Sequence, residues 1–230
     1  MSLGNINFRA EVESHVESHL IRPTPAHTNT YDNSMKNGLP MIAVSPVQGK
    51  FTSLLASMSG ASNILEIGTL GGYSSLWFAE SIKGKGKVTS IEVDSHHREV
   101  AIQNLKFAGI NCPDEVDIIL GKGLDVLPVL EMEIRDGKRS PFDFIFIDAD
   151  WENQWNYFDY AVKLSKGKGS VIYVDNAVRN MIETGIVGKS QEVESTDLVA
   201  KVGNDSRVEA VVMQTVGAKS YDGFLMAVVK

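Results

Sequence analysis

The stretch Asn63–Ser75 constrains the fold of this chain more than any other. Its apolar residues Ile64, Leu65 and Ile67 predict a buried strand, and Ser74 opens a run that predicts a helix. Glycines cluster between the two, where they allow a tight turn and a close approach of the backbone to a ligand. A strand, a glycine turn and a helix N-terminus together form the usual binding place for a nucleotide-like ligand in an open α/β sheet.

The glycine spacing separates this turn from two common nucleotide motifs. When Gly68 is aligned with the first glycine of G-x-G-x-x-G, Leu70 takes the place of the second, and no Gly-Lys-Ser/Thr of a phosphate loop follows. The carboxylate of Glu66 would repel a pyrophosphate, whereas it suits a ligand that bears an ammonium or a sulfonium. Two alternatives stay open on this evidence: an ordinary turn with a surface glutamate, and a nicotinamide oxidoreductase, because a fold alone does not define a function.

Length and composition predict one sizeable domain. The chain has 230 residues, of which 43% are hydrophobic and 22% are charged. The net charge of −7 argues against nucleic acid as a partner, and no apolar run reaches the length of a membrane span. We expect no signal peptide, and the single cysteine, Cys112, excludes an internal disulfide. These features are typical of a reducing cytoplasm.

Strands and helices alternate along the chain. We predict helices at 8–21, 26–37, 46–59, 73–82, 96–108, 123–131, 152–165 and 190–203. We predict strands at 64–67, 88–93, 116–120, 142–147, 170–174, 207–214 and 223–229. The last two strands are close enough to pair antiparallel. The alternation predicts an α/β fold in which helices cover both faces of a mostly parallel sheet.

Acidic residues follow several of the predicted strands at the point where each strand ends. Glu92 ends the second strand, a position from which a carboxylate can hold a ribose diol. Asp148 and Asp150 follow the fourth strand, and Asp175 and Asn176 follow the fifth. If these two strands are neighbours, Asp148, Asp175 and Asn176 converge on an open site for Mg²⁺ or Ca²⁺. For each residue taken singly, a helix cap or a solvated loop remains the alternative.

Several segments together resemble a known family. They are Val-Ser-Pro-Val-Gln-Gly-Lys-Phe, Leu-Glu-Ile-Gly-Thr-Leu-Gly-Gly-Tyr-Ser, Phe-Ile-Asp-Ala-Asp, Val-Asp-Asn-Ala-Val-Arg and Gln-Thr-Val-Gly-Ala-Lys-Ser-Tyr-Asp-Gly-Phe. From about residue 10 onward the chain resembles the S-adenosylmethionine (SAM)-dependent O-methyltransferases of the catechol and caffeoyl-CoA type, most closely the small bacterial-type members. The resemblance implies a Rossmann-like class I methyltransferase fold. Its seven strands would follow the order 3-2-1-4-5-7-6, with strand 7 antiparallel.

The resemblance also implies a single domain, with residues 1–45 as an N-terminal helical cap and 46–230 as the cofactor-binding core. The implied cofactor-binding residues are Val44, Glu66, Gly68, Thr69, Ser74, Glu92, Gly123, Asp148 and Asp150. Among them Glu66, Gly68 and Ser74 would bind the amino-acid end of SAM. Glu92 would bind the ribose, and Gly123 would lie near the adenine.

The same resemblance implies a metal site, an acceptor and a partner. Asp148, Asp175 and Asn176 would bind the divalent metal, and Asn180 would contact the substrate. The acceptor would be a small phenolic molecule with adjacent hydroxyls, and the protein would be a homodimer. A metal beside two hydroxyls would lower the pKa of the attacking one.

One residue departs from the family pattern. The family usually reads Asp-Ala-Asp-Lys, in which the lysine is the proposed base, whereas this chain ends the motif with Trp151. The indole nitrogen is a donor only and cannot take the proton. The metal alone could ionise the acceptor, or a base could come from elsewhere, with Lys36 and Lys50 as candidates. Alternatively the reaction or the acceptor has changed, and Trp151 forms an aromatic wall or faces the positive charge of the cofactor. In a further alternative catalysis is lost, and the chain is a SAM-binding protein with a regulatory or assembly role.

Overall fold

A computed structural model describes residues 7–187 and 197–230. The strands are β1 Asn63–Ile67, β2 Lys87–Glu92, β3 Val116–Leu120, β4 Phe144–Ile147, β5 Val171–Val174, β6 Val208–Val216 and β7 Tyr221–Val229. The helices are α1 Asn7–Leu20, α2 Pro25–Lys36, α3 Pro46–Met58, α4 Tyr73–Ser81, α5 Ser95–Phe107, α6 Gly123–Arg135, α7 Gln154–Leu164, α8 Ala177–Glu183 and α9 Leu198–Gly203, with a 3-10 turn at Trp151–Asn153.

The seven strands form one sheet in the order β3-β2-β1-β4-β5-β7-β6. β1 to β5 pair in parallel, and β7 runs antiparallel to both β5 and β6. The implied strand order and the antiparallel last strands are therefore confirmed. The register aligns Ile67 with Ile147, and Ile147 with Val174, so the residues after β1, β4 and β5 meet at one edge. Because β7 is antiparallel, it begins at the edge where these strands end.

Helices cover both faces of the sheet, as β4 shows most clearly. Phe144 and Phe146 point to one face and belong to a core cluster with Phe78, whereas Ile145 and Ile147 point to the other face. All four β4 side chains are fully buried. A strand buried on both faces has no alternation of apolar and polar residues, which explains its uninterrupted apolar sequence.

Two helices differ from the sequence prediction. α6 continues to Arg135 although Pro128 lies inside it, because Leu127 and Leu130 bury an apolar stripe that outweighs one missing backbone donor. α8 follows β5 directly and was not predicted, since Asn176 begins it in the left-handed conformation without a side-chain cap.

The structure corrects the predicted fourth strand and describes part of the helix predicted at 190–203. The fourth strand is shorter than predicted, because Phe142 forms only an isolated bridge with Ser165 before β4 starts. Of the helix predicted at 190–203, the part Leu198–Gly203 is present, and residues 190–196 lie outside the described residues.

The N-terminal helices are attached to the sheet layers through α3 to α5. Thr24 caps α2 in a reciprocal arrangement with His27, and Pro25 occupies the first turn. Asn33 of α2 donates a 2.8 Å hydrogen bond to Asn104 of α5. None of the helices that the structure describes is both long and apolar enough to cross a membrane.

Candidate functional site

A cavity of about 1330 Å³ lies at the edge where the parallel strands end. Strand ends, α1, the segment 40–51 and the turn between β6 and β7 form its walls. The predicted site residues that line it are Val44, Gly68, Thr69, Ser74, Glu92, Gly123, Asp148, Asp150, Trp151, Asp175 and Asn176. The predicted residues Glu66 and Asn180 do not line it.

The glycine turn forms one wall of the cavity. Gly68 has a φ of +101° and Gly72 a φ of +78°, both in the region that favours glycine. Gly72 is the residue before α4, so the turn leads directly into that helix and presents its N-terminus. The buried Thr69 hydroxyl lies 2.6 Å from that of Ser90 and fixes the turn on β2.

Glu66 supports this turn from below instead of facing the cavity. Its carboxylate is fully buried and accepts hydrogen bonds from Ser74 at 2.5 Å, from Ser90 at 2.6 Å and from Ser75. Burial raises the pKa of Glu66 to about 7, although the three hydroxyls act in the opposite direction. Its expected contact with SAM stays a prediction, while its contacts hold the first turn of α4 on β1.

The end of β2 forms the next part of the wall. Glu92 accepts hydrogen bonds from the backbone nitrogens of Leu70 at 2.7 Å and Asp94 at 2.9 Å. His97 lies 3.7 Å from the same carboxylate and also lines the cavity. His97 is not among the site residues predicted from the sequence. The sequence feature that could have predicted it is Asp94, which caps α5 and thereby places the first turn of that helix beside the end of β2.

A narrow contact shapes the wall at the start of α6. A Cβ atom on Gly123 would lie 2.7 Å from the ring of Tyr157. The hydroxyl of Tyr157 donates a 2.5 Å hydrogen bond to Asp150, and Asn153 donates another of 2.5 Å. Gly123, Tyr157 and Asp150 therefore line one end of the cavity, the end at which the adenine is expected.

Val44 closes the cavity from the N-terminal side. It is buried, and its carbonyl oxygen accepts a hydrogen bond from the hydroxyl of Tyr31 on α2. This bond fixes the backbone of Val44, which is the part expected to contact SAM.

The ends of β4, β5 and β7 form an acidic rim, made of Asp148, Asp175, Asn176 and Asp222. Asp175 is buried and accepts a 2.6 Å hydrogen bond from Nε2 of Gln48. Asn176 adopts a φ of +55° and donates a 2.8 Å hydrogen bond to Asp222. Since the amide nitrogen of Asn176 is the donor, its side-chain oxygen is left for a ligand.

The carboxyls of the rim destabilise each other's charged form. Burial, followed by the charges of Glu66 and Asp222, raises the pKa of Asp148 to about 7. Burial and the charge of Asp148 raise the pKa of Asp175 well above its ordinary value. A cation placed among them would relieve both effects.

The donors of the rim fit a hard divalent cation. Asp148, Asp175 and Asn176 supply oxygen ligands, which Mg²⁺ and Ca²⁺ prefer. Within 7–187 and 197–230 no group of three or more His, Cys, Asp or Glu side chains has a metal-site arrangement. The expected set differs from such a group because it contains two carboxylates and one amide.

Asp222 is the rim residue that the sequence analysis missed. It lies in β7, next to Gly223, and its other oxygen accepts a 2.9 Å hydrogen bond from the backbone nitrogen of Arg179. The feature that could have predicted the position of Asp222 is the antiparallel direction of the last two strands. An antiparallel strand begins at the edge where its parallel neighbour ends, so an acidic residue at its start joins the rim.

Trp151 lies at the cavity wall beside a cation. The guanidinium carbon of Arg179 is 5.7 Å from the centre of the indole ring, and both side chains line the cavity. Lys36 and Lys50, the candidate bases, do not line it. The Nζ atom of Lys50 instead lies 5.9 Å from the ring of Trp77.

Asn180 acts on the rim from behind. It donates a 2.6 Å hydrogen bond to Oε1 of the buried Gln154, whose Nε2 donates a 3.0 Å bond to the carbonyl oxygen of Asp175. The predicted contact of Asn180 with substrate stays a prediction.

An apolar lobe of the cavity lies between α1 and the turn of the β6–β7 hairpin. Its apolar lining residues are Phe8, Val12, Val16, Met41, Ile42, Phe51, Val216 and Phe224. The carboxylate of Glu13 accepts a hydrogen bond from the backbone of Ala218, and Lys219 donates one of 2.8 Å to the carbonyl oxygen of Ala43. These two contacts hold the hairpin turn against the N-terminal segment.

The sheet order and the cavity define the class of protein. A seven-stranded sheet with this order, surrounded by helices, matches the class I methyltransferase structures to which this chain is similar. The model of the O-methyltransferase family matches residues 24–227. The chain therefore belongs to the O-methyltransferase family, and it is a SAM-dependent enzyme.

Known relatives span nearly the whole chain. The O-methyltransferase imqG of Aspergillus flavus is 42% identical over 95% of this chain and 90% of its own length. The catechol O-methyltransferase of Mycobacterium tuberculosis is 38% identical over 96% of each chain. The chain is also similar to the crystal structure of an O-methyltransferase from Bacillus cereus in complex with S-adenosylhomocysteine (SAH), with a TM-score of 0.85. The match covers 98% of this chain and 100% of that one, and the two sequences are 38% identical.

Proposed function

We propose that this enzyme transfers the methyl group of SAM to a hydroxyl of a small phenolic molecule with two adjacent hydroxyls, assisted by a divalent cation. The observation that carries the proposal is the acidic rim, which lines the same cavity as the glycine turn. The catechol O-methyltransferase of M. tuberculosis, similar over nearly the full chain, supports this acceptor class.

The protein's main contribution to this reaction is alignment. The methyl group of a sulfonium is already activated, so an acceptor oxygen held in line with the carbon–sulfur bond needs little further chemistry. The glycine turn and Glu92 hold the cofactor on one side of the cavity. Asp148, Asp175 and Asn176 would hold the cation on the other side. The cation, when bound, lowers the pKa of the hydroxyls beside it.

The apolar lobe supplies the place for the ring of the acceptor. Val12 and Met41 lie on its walls together with Phe51. A planar aromatic ring buries its faces well against such side chains, while its polar edge stays at the acidic rim. The lobe thus orients the hydroxyl-bearing edge toward the cofactor.

The proposal is tested by methyl transfer from SAM to a panel of catechols and caffeoyl esters, with Mg²⁺ and with a chelator. We expect turnover of at least one acceptor with adjacent hydroxyls, and its loss on chelation. Turnover that survives the chelator would contradict the role of the metal. SAH binding without any turnover would favour the alternative, a SAM-binding protein with a changed acceptor or lost catalysis.

The proposal extends to assembly and compartment. The net charge of −7 disfavours nucleic acid as a partner. The single thiol, that of Cys112, suits a reducing cytoplasm. The assembly is a homodimer, as the resemblance implies. Light scattering of the full chain gives the mass directly, and a monomer mass at micromolar concentration would contradict the dimer.

A further inference from the structure

The geometry points to Arg179 as the group that stabilises the negative charge of the acceptor oxygen, by donating hydrogen bonds from its terminal Nη atoms. This inference rests on the proposed function, because it assumes a hydroxyl acceptor that ionises. It assigns a specific role in the transfer to a residue that the sequence analysis did not select.

Arg179 is held at the rim from two sides. Its backbone nitrogen donates a 2.9 Å hydrogen bond to Asp222, and its Nε atom donates one of 2.6 Å to Glu183. Its guanidinium lies over the ring of Trp151, 5.7 Å from the ring centre. A cation over an indole face is an attractive arrangement that limits the rotamers of the arginine. These contacts place the half-exposed side chain at the cavity wall.

Among the described residues, no side chain or backbone group bonds to the Nη atoms of Arg179. Its contacts within the described residues use the backbone nitrogen, Nε and the face of the guanidinium, and none uses an Nη atom. A guanidinium has five donors in a planar fork, and such a fork suits oxygen anions.

The carboxylates of the rim favour a positive side chain beside an ionised acceptor, in addition to the divalent cation that Asp148, Asp175 and Asn176 would hold. Asp148, Asp175 and Asp222 line the cavity, and each would oppose an anion beside it. The other lining cations are placed elsewhere: Arg9 lies on α1, and Lys219 donates to Ala43. Of the arginines and lysines that line the cavity in the described residues, Arg179 is the one bonded to the rim.

The charges that face Arg179 come from its own helix and from β7. Glu183 lies on α8, and Asp222 lies on β7, and both attract the guanidinium. Trp151 packs against it and carries no charge. Arginine stays protonated in proteins, so Arg179 acts through its charge and donors and does not accept a proton.

The step balances without a further reactant. The hydroxyl proton of the acceptor passes to solvent, and the oxygen lone pair forms the new oxygen–carbon bond. The carbon–sulfur bond breaks, and its electron pair stays on sulfur, which becomes the neutral thioether of SAH. Arg179 interacts with the oxygen while it carries the negative charge.

The first test is the pH profile of kcat in Arg179→Gln. An opposite charge within 4–6 Å lowers a pKa by roughly 1–3 units. Loss of the cation is therefore expected to move the acidic limb of the profile upward by about one unit, with a roughly tenfold loss of kcat at pH 7. The loss should shrink as the pH rises. Arg179→Lys, which keeps the charge, should retain most of kcat.

A second test reads the acceptor without turnover. The phenolate of 4-nitrocatechol absorbs visible light, so its pKa when bound to the protein with SAH can be titrated by absorbance. We expect this pKa to be about one unit higher in Arg179→Gln than in the unchanged protein, at equal Mg²⁺. Arg135→Gln is the matched control, since Arg135 is exposed on α6 and pairs with Asp136.

A rescue variant separates charge from structure. Trp151→Lys places a cation where the indole lies. In that background, Arg179→Gln should reduce kcat less and should shift the pH profile of kcat less. A merely structural role of Arg179 would instead lower the melting temperature and leave both pH profiles in place.

The outcomes distinguish this inference from the proposed function. Unchanged pKa values in Arg179→Gln, with turnover intact, would overturn the role of Arg179 and leave the phenolic acceptor standing. A raised KM confined to acceptors that carry a carboxylate would also overturn it, because Arg179 would then bind a substrate side group. Failure of the unchanged protein to bind or methylate any catechol or caffeoyl ester of the panel, 4-nitrocatechol included, would overturn the acceptor class itself.

Discussion

A Cβ atom built on Gly68 would lie 2.0 Å from the carbonyl oxygen of Asp148. The turn after β1 and the end of β4 are therefore in direct backbone contact. This contact joins the two halves of the cavity, since Gly68 belongs to the expected cofactor side and Asp148 to the acidic rim. In the proposed reaction, the distance between the donor and the acceptor of the methyl group would depend on this contact.

Gly68→Ala is expected to destabilise the protein and to abolish SAH binding. The Cβ would collide with backbone atoms, which cannot move aside as a flexible side chain can, and φ at this position is +101°. Gly60→Ala is the matched control, because Gly60 also has a positive φ, +70°, but no atom within 4 Å of its Cβ. The control pays only the backbone cost of roughly 1–2 kcal/mol.

Thermal unfolding and calorimetry with SAH measure the two effects. If the melting temperature falls no further in Gly68→Ala than in Gly60→Ala, the end of β4 shifts enough to accommodate the added Cβ atom. The close contact would then have no special importance.

Glu66→Gln is expected to change how stability depends on pH. The folded-state pKa of Glu66 is about 7 and its ordinary value is 4.5, so between these values the folded state holds a proton that the unfolded state releases. Stability is therefore lost as the pH rises through this window, by roughly 3 kcal/mol. The glutamine variant lacks this loss, so its stability relative to the unchanged protein should increase from pH 4.5 to 7.

Urea unfolding at a series of pH values, without cofactor or metal, measures this effect. Glu209→Gln on β6 controls for the change in net charge, because Glu209 is exposed. Parallel stability curves for Glu66→Gln and the unchanged protein would mean that the buried carboxylate is not the group responsible.

The positions of most site residues could be predicted because they depend on one geometric rule. Parallel strands end at a common edge, so the residues after β1, β2, β4 and β5 had to converge once the strands were recognised. Gly68, Glu92, Asp148 and Asp175 therefore line the cavity as expected. The apolar runs that define these strands are strong signals, because both faces of the sheet are covered.

The missed features depend on contacts between distant segments. The position of Arg179 over Trp151 requires the 3-10 turn after β4 and helix α8 after β5 to pack together. The orientation of Glu66 away from the cavity results from Ser74, Ser75 and Ser90, of which the last lies on another strand. Neither pattern has a local sequence signature.

His27→Gln is expected to have the opposite pH dependence to Glu66→Gln. His27 is buried, and burial, followed by the charge of Lys50, lowers its pKa from 6.5 to about 4. The unfolded chain takes up a proton below pH 6.5 that the folded protein excludes, so stability is lost as the pH falls from 6.5 to 4. The loss attributable to this group is up to roughly 3 kcal/mol.

Glutamine suits this position because it can replace His27 in the capping box with Thr24. The variant should therefore fold and should lose less stability than the unchanged protein on acidification to pH 4. Urea unfolding at pH 7 and pH 4 gives the comparison. Equal losses in both proteins would contradict the prediction, and Glu80, 3.5 Å from His27, would then be keeping the imidazole charged in the fold.

Asp175→Asn is expected to weaken metal binding and to increase the stability of the metal-free protein. Asp175 is buried beside Asp148, so the neutral amide removes a repulsion between like charges, and without metal the variant should unfold at a higher temperature at pH 8. A divalent cation reverses the order, since Mg²⁺ at a hundred times its Kd would stabilise the unchanged protein by about 2.7 kcal/mol and the variant by far less. Thermal unfolding with and without Mg²⁺ measures both effects. Asp117→Asn on β3, distant from the rim, should keep the full Mg²⁺ response, and an equal response in Asp175→Asn would place the cation elsewhere.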